Sequence, residues 1–240
     1  METNQSSIAE NLHQVRQRID AACALACRDP HTVRLLAVSK TCPGSAVRAA
    51  HAAGQAAFGE NYVQEGLAKI DELSDLRPSL AWHLIGPLQS NKTRAVAEAF
   101  DWVHGVDRLK IAQRLSEQRP AGLPPLNICL QVNASGEASK GGVGWGELPA
   151  LAHAVAALPG LRLRGLMSIP EPVADLAAQR APHRALREAF ERLQTEGLAL
   201  DTLSMGMSAD LEAAVLEGAT LLRIGTAIFG ARPTHSPTAS

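Results

Sequence analysis

The chain carries five lysines against eighteen arginines, and one of them, Lys40, stands at the end of the apolar run Val33-Arg34-Leu35-Leu36-Ala37-Val38-Ser39. Five of the first six residues are apolar, the pattern of a strand buried on both faces in a parallel sheet. An amine at the tip of such a strand, partly desolvated, loses its proton readily enough to attack an aldehyde and form a Schiff base. A lone lysine is weak evidence, because most lysines are solvated surface charges. Of the other four, Lys69, Lys92 and Lys110 fall in or at the start of helical segments, and Lys140 lies in a glycine-rich loop.

Two further stretches point to phosphate. In Ser204-Met205-Gly206-Met207-Ser208-Ala209-Asp210, Ser208 is the expected N-cap of a helix over 209–216, where a hydroxyl and oriented N–H groups can meet an anion. Arg223-Ile224-Gly225-Thr226 again puts a glycine and a hydroxyl residue at a strand end. Either feature alone reads as readily as a cap or a turn. After the seventh and eighth strands of a barrel, the two together form a two-sided phosphate cup. A Schiff-base lysine beside a phosphate cup implies an aldehyde that carries a phosphate, and pyridoxal 5'-phosphate fits that description. His83 and His104 lie within or near strands and read first as hydrogen-bonded structural histidines, with acid–base chemistry as the alternative.

These residues need elements to hold them. Apolar residues at Ile8, Leu12, Val15, Ile19, Ala22 and Leu25 recur at helical spacing from Ser7 to about Cys27, and Asp29-Pro30 stops that leading helix. Strands are then expected at 33–40, 56–58, 82–85, 102–106, 126–132, 163–169, 202–205 and 221–224. Helices are expected between them at 44–53, 62–73, 90–100 with Ser90 as N-cap, 107–117, 147–157, 181–195 and 209–216. Eight strand–helix units without long antiparallel alternation predict an α/β fold, a single (β/α)8 TIM barrel with an extra N-terminal helix. An open doubly wound sheet is the structural alternative. One domain is expected over 1–232, with a short polar tail at 233–240 expected to be disordered.

Composition narrows the function classes. At 240 residues, 46% hydrophobic and 20% charged with a formal net charge of -1, the chain can bury a core but offers no basic field for nucleic acid or an anionic membrane. The start is polar and no apolar run is long enough to span a bilayer, so a cytoplasmic location is expected. Cys23, Cys27, Cys42 and Cys129 lack paired CxxC spacing, which disfavours a zinc site or a disulfide framework. Cys23 and Cys27, four apart, read as two thiols packed on one helix face.

The segments LLAVSKT, FGENYVQE, WHLIGPLQSNK, NASGEASKGGV, GLMSI, LSMGMSADLEAAV and LRIGTAIFG resemble, in order and without a large gap from about residue 8 to residue 232, the successive signatures of the pyridoxal phosphate homeostasis protein family. That family is similar in fold to the N-terminal barrel of alanine racemase. The resemblance implies Lys40 as the Schiff-base lysine, Ser208, Gly225 and Thr226 around the phosphate, Arg223 facing the pyridine nitrogen, and Asn61 and Met167 near the ring. The sequence departs from the pattern at Gly141 and Gly142, where a larger or polar residue is expected. An arginine beside a pyridine nitrogen stays charged and lends it no proton, which leaves the ring a poor electron sink. The alternative for Arg223 is an ion pair with a glutamate inside the barrel.

The implied function is to carry pyridoxal 5'-phosphate as a Schiff base in intracellular cofactor homeostasis, without strong turnover. Its implied partners are the small-molecule cofactor and pyridoxal-phosphate-dependent apoenzymes, with neither nucleic acid nor membrane, and a monomer is expected. A single-domain racemase is the competing reading. It needs a second proton carrier, which alanine racemase takes from an additional C-terminal domain; here the sequence stops soon after the eighth strand and Tyr62 is its one tyrosine. A Schiff-base aldolase acting on a sugar phosphate is a third.

Overall fold

Eight strands pair in parallel, each with its sequence neighbour: β1 (Arg34–Val38), β2 (Ala57–Glu60), β3 (Ala81–Leu84), β4 (Trp102–Val106), β5 (Leu126–Gln131), β6 (Leu161–Met167), β7 (Thr202–Ser204) and β8 (Leu221–Ile224). The ring closes where Arg34 to Ala37 of β1 lie opposite Leu221 to Ile224 of β8. The sheet is therefore a closed (β/α)8 barrel, and the open-sheet alternative is excluded. The structure is a computed structural model that describes residues 7–134 and 141–230; Lys140 and the tail at 233–240 lie outside the described residues. Among those described, no helix is long and apolar enough to cross a membrane.

The helices are α1 (Ile8–Leu25), α2 (Gly44–Ala52), α3 (Val63–Glu72), α4 (Thr93–Ala99), α5 (Leu109–Gln118), α6 (Leu148–Ala156), α7 (Leu176–Thr195), α8 (Leu211–Leu216) and the single turn α9 (Thr226–Phe229). The start of α1 is set by a capping box, in which the Glu10 N–H donates to Ser7 Oγ and the Ser7 N–H to Glu10 Oε2. Such a cap is worth about 1 kcal/mol. The stripe Leu12, Val15, Ile19 and Ala22 is fully inside, so packing rather than propensity holds the helix. It ends at Leu25, and Cys27 follows with φ 52. Cys27 is exposed while Cys23 is buried, so the two thiols do not share a packed face as expected.

Several boundaries differ from the expectation for identifiable reasons. The first strand ends at Val38, which leaves Lys40 two residues beyond it in a turn. Ser90 opens a 3₁₀ turn and caps nothing with its side chain; its carbonyl accepts from Thr93 Oγ1 instead. Helix α7 begins at Leu176 because Asp175 caps it through the Ala178 N–H, and Pro182 is carried within it. Helix α8 begins at Leu211 with Asp210 at its N-cap position, so Ser208 belongs to the turn before the helix and is not its cap.

The interior of the barrel departs from the usual layers of branched aliphatic side chains. His104 on β4 reaches Ser204 on β7, a contact between distant strands that has to pass through the interior. Near the N-terminal ends of the strands, the guanidinium carbons of Arg34 and Arg164 lie 5.4 and 4.7 Å from the Trp102 ring centroid, and His83 stacks on the same ring at 5.1 Å.

Candidate functional site

The C-terminal ends of the strands surround a cavity of about 560 Å³ whose lining includes Lys40, Asn61, Ser208, Arg223, Gly225 and Thr226. Six of the seven site residues expected from sequence thus meet in one place. The seventh, Met167, does not line it; it is fully buried at the end of β6, packed with Trp102 and Cys129. Among the described residues, the only ionisable side chains in the lining are Lys40, Cys42 and Arg223, with no carboxylate, histidine or tyrosine. A larger, more open groove lies elsewhere, around Leu67, Pro78 and Leu80, away from the strand ends where barrels do chemistry.

Lys40 is half-buried, and the backbone on either side of it is tied to α3. Ser39 Oγ donates to Glu60 Oε1 at 2.6 Å. Lys69 Nζ donates to the Ser39 carbonyl at 2.6 Å, to Glu60 Oε1 at 2.9 Å and to Glu65 Oε1 at 2.7 Å. On the other side, the Thr41 N–H donates to Glu65 Oε1. Thr41 has φ 64, a left-handed conformation that strains a β-branched residue by about 1–3 kcal/mol and persists only where its surroundings enforce it. Burial pushes the Glu60 carboxyl up, against the pull of the Ser39 hydroxyl and the Lys69 ammonium. The sequence shows Lys69 only as a lysine on a helix; here its side chain is 6% exposed and forms a buried ion pair. It braces the turn that presents Lys40.

Arg223 forms the inner wall. Its Nη1 donates to the Ser204 carbonyl at 2.5 Å and to Ser204 Oγ at 2.9 Å, and its Nη2 donates to the Ser168 carbonyl at 2.8 Å. These oxygens, and not a glutamate, are its partners. Burial pushes the guanidinium down to about 10, with Asp210 and Cys129 pulling the other way, so it is charged at neutral pH and takes no carboxylate with it. Behind it, burial together with Arg34 pushes His83 down to about 3, and burial together with His83, Arg223 and Arg34 pushes His104 well below its usual value. Both imidazoles are neutral, and neither lines the cavity.

The two hydroxyl-bearing loops are held from outside the barrel. Arg18 of α1 donates to the Ser208 carbonyl at 3.2 Å and pairs with Glu212 at 2.9 Å, and Asn11 Nδ2 donates to the Ile228 carbonyl at 2.9 Å. Asp210 accepts the Met207 N–H at 2.7 Å and faces His183 Nε2 at 2.9 Å. Burial works against the Asp210 charge, but the hydrogen bonds from His183 and Met207 outweigh it and hold the carboxyl below its usual range. At Gly225 a β-carbon would lie 3.1 Å from the Val38 carbonyl oxygen, so any side chain there would push β1 back by a few tenths of an ångström. At Gly142, φ is 130 and a β-carbon would fall 2.5 Å from the Asn133 N. The chain turns back there to pair Val143 with Val132, which accounts for the second of the two unexpected glycines.

Ile8, Cys42, Met207 and Phe229 also line the cavity and were not singled out from sequence. Met207 and Phe229 stand inside recognised motifs, and Cys42 directly follows one. Ile8 had no sequence signal as a site residue, because nothing local shows that the start of α1 reaches the barrel mouth.

The groups present fit a phosphorylated aldehyde. There is an amine on a braced turn, two hydroxyl residues on the loops after neighbouring strands, and an Asn61 Oδ1 that is buried without a hydrogen-bond partner in the lining of an otherwise largely apolar cavity. Residues 4–233 match the family described as alanine racemase, N-terminal domain. The pyridoxal phosphate homeostasis protein of Pseudomonas aeruginosa is 66% identical over 232 residues, covering 97% of this chain and 99% of that one. The protein of the same name from Escherichia coli K12 is 56% identical over 228 residues, covering 95% and 97%. The solved structure of PipY from Synechococcus elongatus PCC7942 with PLP bound superposes with a TM-score of 0.82 at 41% identity, covering 93% of this chain and 100% of that one. With relatives this similar matched along nearly their whole length, the chain belongs to the pyridoxal phosphate homeostasis protein family.

Proposed function

We propose that this protein binds pyridoxal 5'-phosphate in the barrel-mouth cavity and serves intracellular cofactor homeostasis, in the cytoplasm and as a monomer, without strong catalytic turnover. The observation that carries the reading is the convergence of Lys40, Asn61, Ser208, Arg223, Gly225 and Thr226 on one cavity, in a chain whose relatives bear that family name and whose structural neighbour holds PLP. When bound, the cofactor supplies an aldehyde for an amine, a phosphate for hydrogen-bond donors and a pyridine nitrogen for a neighbouring charge. Lys40 is the amine, held by the Glu60–Lys69–Glu65 brace. The Ser208 and Thr226 loops supply hydroxyl and N–H donors to the phosphate, and Gly225 lets the backbone close in. Arg223 presents a permanent cation to the ring nitrogen and keeps a proton away from it. Met167 acts from behind this wall, as packing beneath the site.

Among the described residues, a lining without carboxylate, histidine or tyrosine supports holding over turnover, because general acid–base groups contribute roughly a hundredfold to ten-thousandfold to proton transfer. Tyr62, the residue a racemase would need, is 59% exposed and outside the lining. A site that binds the cofactor through a reversible bond without consuming it suits delivery to apoenzymes. The test is a titration with pyridoxal 5'-phosphate followed by absorption, together with deuterium exchange at the α-carbon of L-alanine. A saturable near-visible band with exchange close to that of free cofactor is expected. Absence of the band refutes the binding site, and enzymatic exchange that Lys40→Ala abolishes supports a racemase instead.

A further inference from the structure

The interior of the barrel carries a hydrogen-bonded line from Arg223 through Ser204 and His104 to His83. Arg223 only donates, so Ser204 Oγ is an acceptor towards Nη1 at 2.9 Å. The same oxygen lies 2.8 Å from His104 Nδ1, and among the described residues no other acceptor is within reach of the Ser204 hydroxyl proton. Pairing that proton calls for a His104 Nδ1 that is bare. A neutral imidazole bare at Nδ1 carries its proton on Nε2, and His104 Nε2 stands 2.9 Å from His83 Nδ1. His83 accepts there and is in turn fixed in place by stacking on Trp102. His83, His104 and Ser204 are each buried to within 3% of completely. A buried line of this kind costs stability wherever a member lacks its partner, and aliphatic residues would fill a barrel interior more simply.

Resting on the reading that the cavity binds pyridoxal 5'-phosphate, we propose that His104, oriented by His83, is a positioning residue for Arg223. By accepting the Ser204 proton it turns a lone pair of Ser204 Oγ towards the guanidinium and holds that cation at the inner wall in one rotamer. Among the described residues no carboxylate pairs with Arg223, so its aim depends on this hydroxyl and the Ser168 and Ser204 carbonyls. The chemistry that recognises the ring nitrogen thus reaches across the barrel from β8 through β7 and β4 to β3.

The proposal is tested with His104→Leu, which fills the space without an acceptor, and His104→Asn, whose side-chain oxygen can still accept from Ser204. Losing one hydrogen bond to a charged group predicts pyridoxal 5'-phosphate binding weaker by about tenfold in His104→Leu, with a displaced absorption maximum for the bound cofactor. Recovery to within about threefold of wild type is expected in His104→Asn. Adding Ser204→Ala to His104→Leu should weaken binding by less than the product of the two single effects, because both act on one contact. Unchanged affinity and spectrum in His104→Leu, or equal losses in the Leu and Asn variants, overturns the proposal. Should His104→Leu not fold, ¹⁵N resonances of the histidine rings in the wild type decide the matter: a bare His104 Nδ1 whose shift moves on adding pyridoxal 5'-phosphate is expected, and a protonated or unresponsive Nδ1 overturns it. Wild type that binds no cofactor would refute the underlying reading, while a bound cofactor with an unresponsive His104 refutes only the relay.

Discussion

Removing Lys69 should injure both the stability of the protein and its hold on the cofactor. The Lys69→Met substitution keeps the length and apolar stem of the side chain but removes the ammonium that Glu60, Glu65 and the Ser39 carbonyl share. Glu60 is completely buried, its Oε2 already lacks a hydrogen-bond partner, and among the described residues the lysine is the one cation paired with it. Breaking a buried pair from one side costs about 3–5 kcal/mol, a large part of the roughly 5–15 kcal/mol that holds a typical domain together. Urea unfolding followed by fluorescence of the three tryptophans at pH 7.5 and pH 5 measures the loss. Burial raises the Glu60 carboxyl even with Lys69 present, so the variant's native state should bind a proton that the unfolded chain has released. The penalty is then full above the folded pKa and shrinks as pH falls towards the unfolded value. Adding Glu60→Gln should recover about 2 kcal/mol or more of the loss at pH 7.5. Because the same ammonium holds the Ser39 carbonyl, cofactor binding should weaken in the single variant. A loss below about 1 kcal/mol that does not change with pH would refute the buried-pair argument. Cofactor affinity equal to wild type would refute the claim that the brace positions Lys40.

The combined substitution Ser208→Ala and Thr226→Ala should weaken pyridoxal 5'-phosphate binding much more than pyridoxal binding. Two charge-assisted hydrogen bonds of about 1.5–3 kcal/mol each allow a discrimination on the order of a hundredfold, and equal weakening of both ligands would put the phosphate elsewhere. Acid should destabilise the fold through the buried histidines. With His83 at about 3 in the folded chain and roughly 6.5 unfolded, the unfolded state binds more protons between those values. The contribution is therefore present above about pH 6.5 and is lost as pH falls towards 3, amounting to roughly 3 kcal/mol between pH 7 and pH 4. His83→Phe should flatten that part of the stability–pH curve, and an unchanged slope would contradict the assignment.

The barrel was legible because each strand is short, apolar and separated from the next by a helical period, a pattern set by local burial. The ends of the elements were less so. Lys40 read as the last residue of a strand, yet β1 stops at Val38 because the chain turns through a left-handed Thr41 whose N–H is taken by Glu65, a partner twenty-four residues away. Ser208 read as a helix cap because hydroxyl residues favour that position, but Asp210 satisfies the Met207 N–H and moves the helix start to Leu211. The motif residues Asn61, Arg223, Gly225 and Thr226 could be found from resemblance, since they sit at strand ends where any barrel aims its chemistry. The brace at Lys69 and the line from His83 to Arg223 could not, because both consist of contacts between residues far apart in sequence and neither has a local pattern. Met167 is the opposite case: it stands in a recognised motif, yet it packs with Trp102 and Cys129 and is outside the cavity lining.

The central claim is that Lys40 is the amine that holds the cofactor. Its most direct test is to mix the protein with pyridoxal 5'-phosphate, reduce with borohydride, digest, and map the pyridoxyl group by mass spectrometry in the wild type and in Lys40→Ala. The pyridoxyl group should lie on Lys40, and Lys40→Ala should carry little or none, since Lys69 is locked in its ion pair and outside the cavity lining. A group found chiefly on Lys69, Lys92 or Lys140, or label retained in Lys40→Ala at the wild-type level, would contradict it.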